Sequence, residues 1–109
     1  MELLKTEFIE GDPPVLRVDG EIDLSTADLF RTALEDAVST HPNVVVDLAR
    51  VSFLDAAGLR VLVQVAATRN GAGPIPLVNA QRVAWVLDLV GLSSSPSIAI
   101  RALDCSRGR

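Results

Sequence analysis

Cysteine is almost missing from this chain. Cys105 is the only one among 109 residues, so neither an internal disulfide nor a cysteine-based metal cluster can form, which fits a reducing compartment. Lysine is reduced to Lys5, the arginines are scattered, and the net charge is −4. No basic run follows a phosphate backbone, so direct binding of nucleic acid is not expected. Long apolar runs are lacking too. The most apolar stretch, residues 59–67, is interrupted by Arg60 and Gln64 and falls well short of the ~20 residues that cross a bilayer. It reads as a buried helix, and no membrane insertion is expected. The first seven residues carry acids and lack the basic start and apolar stretch of an export signal, so the expected location is cytoplasmic.

The chemistry of catalysis is also missing. No phosphate-cradling glycine loop, no metal-ligand spacing and no nucleophile–base pair is present. The single histidine, His41, precedes Pro42 with no Ser or Cys nucleophile arranged around it, and reads as a solvated surface residue. The sequence therefore predicts no enzyme, no cofactor and no metal site.

What is present is an ordinary globular composition, 49% hydrophobic and 22% charged. That suffices for one packed core but not two. The expectation is a single domain over residues 1–103, with residues 104–109 as a frayed tail. Residues 3–9 and 15–23 read as strands joined by the turn cluster Gly11-Asp12-Pro13-Pro14. In the second, Leu16, Val18, Gly20 and Ile22 alternate with Arg17, Asp19, Glu21 and Asp23, the period of a strand with one buried face. Phe30, Ala33, Leu34, Ala37 and Val38 then fall at helical spacing, with Ser25 or Thr26 as the natural N-cap and Pro42 as the stop.

Val44-Val45-Val46-Asp47-Leu48 reads as a central strand covered on both faces. A tight loop leads into a helix over about residues 58–69, ended by Asn70-Gly71-Ala72-Gly73-Pro74. A strand at 75–78, a helix at about 81–90, a loop at 91–96 and a strand at 97–102 follow. The order β-β-α-β-α-β-α-β predicts an α/β sandwich whose mixed sheet opens with an antiparallel hairpin and is covered by α-helices. Trp85, the only Trp, lies on the third helix, where periodicity leaves core and contact surface equally open.

The junction around residue 55 is the most informative part of the chain. Asp55 stands where an N-cap belongs, able to accept from the N–H of Ala57 or Gly58 and to face the positive end of the helix dipole. Gly58, inside the first turn, costs roughly 1 kcal/mol against Ala, so something approaches the backbone there, either a partner or a neighbouring strand. Asp23, Asp47 and Asp55 at strand ends raise a carboxylate cluster like that of a response-regulator receiver. The opening hairpin and the lack of a late lysine argue against it, and Asp47 reads as a partly buried, hydrogen-bonded carboxylate.

Gly20-Glu21-Ile22-Asp23, Asp47-Leu48 with Phe53-Leu54-Asp55, Gly58-Leu59, and Leu87-Asp88-Leu89-Val90-Gly91-Leu92, in this order and spacing, resemble the STAS domains of anti-sigma factor antagonists. The resemblance covers almost the whole chain. It implies a non-enzymatic bacterial regulator of transcription that works by partner switching. The implied partner is an anti-sigma factor with a serine-kinase, ATPase-type fold. In phosphorylated members a Ser or Thr at the start of this helix is modified by that kinase, and the modified form lets go.

Ala57 occupies the acceptor position here, and Ala56 removes the neighbouring alternative. The resemblance thus implies a binding surface formed by Asp23, Ser25, Thr26, Asp55, Ala56, Ala57, Gly58, Leu59 and Arg60 without the usual phospho-switch. Ser52 is the candidate substitute acceptor, although an ordinary loop position explains it better, as helix capping explains Ser25 and Thr26. The alternative is an accessory subunit of a stressosome-like or lipid-transport ATPase complex. Homodimer formation is left open.

Overall fold

The computed structural model describes residues 3–68, 75–81, 83 and 98–100. Strands β1 (Leu4–Ile9) and β2 (Val15–Ile22) form the antiparallel hairpin foreseen from the turn cluster. Helix α1 (Ala27–Thr40), strand β3 (Val45–Leu54), helix α2 (Ala56–Ala67) and strands β4 (Ile75–Val78) and β5 (Ile98–Ile100) follow. The five strands lie in the order β1-β2-β3-β4-β5, with β1 antiparallel and every later pairing parallel. This is the expected mixed α/β sheet opening with a hairpin. The anticipated third helix with Trp85, the motif at residues 87–92, the glycine-rich turn and the tail at 104–109 lie outside the described residues. At residues 80–83 the Val83 N–H donates to the Ala80 carbonyl at 3.0 Å.

The alternation read in β2 is the one observed. Leu16, Val18 and Ile22 are buried while Asp19 and Glu21 are exposed. From the helices, Phe30, Leu34 and Ala37 of α1 and Leu59, Val61, Leu62 and Val65 of α2 join them in one core. Burial of each large side chain in it contributes on the order of 1.5–3 kcal/mol. The helices are tied to each other at the surface, where Arg31 donates to the Gln64 side-chain oxygen.

Two expectations for β3 need correction. The strand runs on to Leu54 instead of giving way to a loop after Leu48, and it is covered on both faces only at its start. Val45 and Val46 are buried, but Ala49, Arg50, Ser52 and Phe53 are exposed. Two irregularities in the pairing explain both. Arg17 pairs with Asp47 but Asp19 with Arg50, and Gly20 pairs with Val51 but Glu21 with Phe53, so β3 carries one extra residue at each step. Each bulge resets the pleat, which brings Leu48, Val51 and Leu54 all onto the core face. A spacing of three hides a strand from any reading that seeks a period of two.

Gly20 holds the hairpin against the start of the chain. Its φ of +123° is one that L side chains rarely adopt, and a Cβ built there would lie 2.1 Å from the Leu3 carbonyl oxygen. That carbonyl accepts from the Glu21 N–H at 2.9 Å, so the backbone cannot back away without losing the bond. Gly20→Ala is expected to lower unfolding free energy by at least about 2 kcal/mol, since backbone strain and a main-chain clash add. Urea denaturation followed by circular dichroism measures this, and a change within about 0.5 kcal/mol, typical of a neutral surface site, would contradict it.

Candidate functional site

Adjacent parallel strands β2 and β3 end side by side, so the segments leaving them are neighbours. The Asp55 N–H donates to the Ile22 carbonyl at 3.2 Å, which fixes the end of one strand to the end of the other. Asp55 then turns the chain into α2. Its carboxylate accepts from the Ala57 N–H at 2.9 Å and the Gly58 N–H at 3.2 Å, the capping expected from the sequence. The neighbour implied by Gly58 is internal. A Cβ at that position would stand 2.5 Å from Leu54 Cδ1 and 2.6 Å from Ile22 Cγ2. The first turn of α2 therefore rests directly on the ends of both strands.

The loop from β2 to α1 is organised by Asp23. One carboxylate oxygen accepts from the Ser25 hydroxyl at 2.7 Å, the Ser25 N–H at 2.9 Å and the Thr26 N–H at 3.2 Å. The Ser25 hydroxyl is the main cause that holds Asp23 below its ordinary value of 3.8; partial desolvation opposes it, and the two backbone donors and the Thr26 hydroxyl reinforce it. Thr26 does sit at the N-cap position of α1, but its side chain makes no capping bond. Its buried hydroxyl instead donates to the Glu21 carbonyl at 2.8 Å and accepts from the Asp23 N–H at 2.9 Å. The capping role foreseen for Ser25 or Thr26 is corrected accordingly. The Thr26 hydroxyl serves instead to lock the loop to the strand, while the Asp23 carboxylate engages the Ser25 and Thr26 N–H groups.

These locks divide the expected site residues into two groups. Gly58, Leu59 and Thr26 are buried and shape the surface from beneath. Ser25, Ala56 and Arg60 are exposed, with Asp23, Asp55 and Ala57 half-buried beside them. Two residues not placed in the binding surface from the sequence belong with the exposed group: Leu24, 82% exposed, and Phe53, 49% exposed. The signal for Phe53 was its neighbour. With Leu54 turned into the core, Phe53 has to face outward, yet it reads as one more apolar residue while the strand is not extended that far. Ser52 stands in β3, not in a loop, with its hydroxyl 3.4 Å from the Gly20 carbonyl.

Asp47 lies elsewhere, within the sheet, where it accepts from Asn79 Nδ2 at 3.0 Å and the Ala49 N–H at 2.9 Å and pairs with Arg17 at 3.9 Å. Asp23, Asp47 and Asp55 thus have separate partners. Among the described residues no three His, Cys, Asp or Glu side chains come together in a way that could hold a metal. None of the described helices is long and apolar enough to cross a membrane.

Gly58→Ala sets a gain of roughly 1 kcal/mol in helix propensity against overpacking of two core side chains, about 1–3 kcal/mol. Ile22 and Leu54 are both buried and have little room to yield, so net destabilisation is expected in chemical denaturation; a stabilised variant would refute the close approach. Loss of the Asp23 hydrogen bonds has a pH signature. A depressed carboxylate contributes stability that is present above its ordinary value of 3.8 and lost as pH falls through the lowered value of the fold. The stability difference between wild type and Asp23→Ala is therefore expected to be constant near neutrality and to shrink in acid, as thermal melts across pH will show.

Comparison with known proteins agrees with this geometry. The family model described as "Mlab, STAS domain" matches residues 6–95. The anti-sigma-F factor antagonist RsfB of Mycobacterium tuberculosis is 43% identical over 49 residues, 44% of this chain and 40% of the relative; the match thus spans less than half of either protein. The crystal structure of an anti-sigma factor antagonist from Mycobacterium paratuberculosis superposes with a TM-score of 0.79 at 25% identity, covering 91% of this chain and 86% of that one. SpoIIAA in its unphosphorylated form gives 0.68 at 22% identity over 96% of this chain and 98% of its own, a likeness of fold. With the family model covering most of its length and the sheet, hairpin and capped second helix in place, this chain belongs to the STAS domain family.

Proposed function

We propose that the chain is an anti-sigma factor antagonist that binds a kinase-type anti-sigma factor through the surface at the ends of β2 and β3 and that does so without a serine phospho-switch. The observation that carries the reading is the Asp55-to-Gly58 turn. It keeps the capping carboxylate and the close-packed glycine but presents Ala56 and Ala57 where a hydroxyl would be needed. Beside it, Leu24 and Phe53 are exposed, and apolar side chains of this size are what a partner interface buries at its centre.

Charge is what the alanines withhold. A phosphoryl group adds about −1.5 to −2 charges, so on a surface that pairs apolar side chains with a partner it would expose a strongly hydrated group to burial and weaken binding. Alanine cannot acquire that charge. The module then stays in its binding-competent state, and regulation passes to its abundance or to its partner. The surface of a STAS accessory subunit in a stressosome-like or lipid-transport ATPase complex would tolerate the same alanines, and the experiment below separates the two.

Purified wild type and the variants Ala57→Ser, Ala57→Asp and Phe53→Ala are to be titrated against kinase-type anti-sigma factors with and without ATP. Wild-type binding independent of ATP is expected, with release of Ala57→Ser when ATP is present and poor binding of Ala57→Asp. Phe53→Ala is expected to weaken affinity by about tenfold, the scale of one truncated anchor at an interface. If none of the four proteins binds any such kinase, the sigma-factor role falls. Co-purification with ATPase components would then favour the accessory-subunit reading.

A further inference from the structure

Five large apolar side chains are exposed among the described residues: Leu3, Phe8, Leu24, Leu29 and Phe53. Leu24 and Phe53 belong to the site above. Leu3 lies where the chain meets Glu21 of β2, and Phe8 and Leu29 border another feature of the molecule, the free edge of β1. Among the described residues that strand has a neighbour on one side only, β2. Between β1 and α1 runs an open groove, about 820 Å³ where Leu4, Thr6, Leu29 and Ala33 line it. It continues for about 530 Å³ past Thr6, Phe8, Ala37 and His41.

An edge strand presents unpaired N–H and C=O groups, and proteins normally blunt it with a charge, a proline or a bulge. Here the Leu3 carbonyl accepts from Glu21 of β2. The alternation of an antiparallel ladder then sends the peptide groups of Leu4, Thr6 and Phe8 away from β2, toward the open side. The sequence from Leu4 to Ile9 contains no proline, and its six residues pair with β2 without a bulge. Its charges are Lys5 and Glu7.

We infer that β1 is a homodimerisation edge on which a second copy of this chain pairs antiparallel, with Thr6 opposite the second copy's Thr6, so that the two sheets become one. Charge and symmetry select this occupant and this register. A twofold axis that makes two neighbouring strands antiparallel stands perpendicular to the sheet and keeps both α1 helices on the same face. Residues from the same face then pair with one another, which leaves only registers in which even positions meet even and odd meet odd. Centring on Lys5 sets Lys5 against itself, and centring on Glu7 sets Glu7 against itself. Centring on Thr6 sets Lys5 against Glu7 twice, Leu4 against Phe8 twice, and the outward peptide groups of Leu4, Thr6 and Phe8 against one another. A strand without an acid and a base two residues apart would leave Lys5 and Glu7 unmatched, whereas a second copy supplies both at the required spacing. The same pairing covers Phe8 and brings the two grooves together along the shared edge, with Leu29 of each copy beside it.

Within one copy Lys5 already faces Asp19 and Glu7 faces Arg17 across the hairpin, the latter pair 3.7 Å apart. This makes the test discriminating. Sedimentation equilibrium of the full chain is expected to show a concentration-dependent dimer whose affinity falls with added salt. Lys5→Glu and Glu7→Lys are each expected to weaken the dimer by about tenfold, because two attractive cross-strand pairs become repulsive. Thr6→Pro should abolish it by removing the central N–H. The double variant Lys5→Glu/Glu7→Lys restores complementarity between copies, while inside each copy it sets an acid against Asp19 and a base against Arg17. Recovery of dimerisation in the double variant, with its melting temperature no higher than that of either single variant, is the expected result. A wild type that stays monomeric up to millimolar concentration overturns the inference. So does a dimer indifferent to both single reversals, or a double variant weaker than either single one.

Discussion

The seat of α2 on the ends of β2 and β3 is the contact on which the rest depends. It is possible because residue 58 has no side chain. Any Cβ there would strike Ile22 and Leu54, and those two residues are themselves the last inward positions of adjacent strands. The helix cannot lie this close unless both strands end at the same level, which the Asp55 to Ile22 backbone bond enforces. Once it is seated, its amino end, capped by Asp55, must open at the rim of the sheet beside the loop organised by Asp23. The position of the site follows from packing, with no need of a dedicated cavity.

The bulges in β3 serve the same end. A regular strand of this length would alternate strictly and would turn Val51 away from the face that Leu48 and Leu54 share. Two extra residues keep all three inward. The cost is local: Ser52 and Phe53 are left on the open side, and the ladder is interrupted next to Gly20, where the chain also accommodates Leu3. Irregular pairing, an exposed aromatic and a glycine at positive φ therefore cluster at one end of the sheet. Bulges near functional rims commonly re-aim side chains in this way, and here the side chain re-aimed is Phe53.

Polar groups divide between rigidity and recognition. Thr26 and Asp23 bind backbone atoms that would otherwise be left without partners where a strand becomes a helix, and an unmatched buried donor or acceptor costs about 1–3 kcal/mol. Asp47 acts similarly within the sheet, joining β2, β3 and Asn79. None of these carboxylates is shared with another, so each reads as a fixed strut. What these struts leave exposed around the two loops is a small set of side chains: Leu24, Ser25, Phe53, Ala56 and Arg60.

Much of this was legible in the residues. Alternation in β2 and the turn at residues 11–14 specified the hairpin, and helical spacing at Phe30, Leu34 and Ala37 specified the face of α1, because these periodicities are imposed by local geometry. Asp55 as a cap was equally legible, since a cap is a contact between near neighbours in sequence. The extent of β3, the inward fate of Gly58, the true role of Thr26 and the exposure of Leu24 and Phe53 were not. Each depends on which residue of a distant strand stands opposite, and register between strands far apart in sequence is decided only when the sheet assembles. By itself the sequence determined, for the described residues, the kinds of element and their order, and it determined the absence of a hydroxyl at residue 57. Tertiary structure alone decided which of the residues around that position are buried beneath the surface and which are exposed on it.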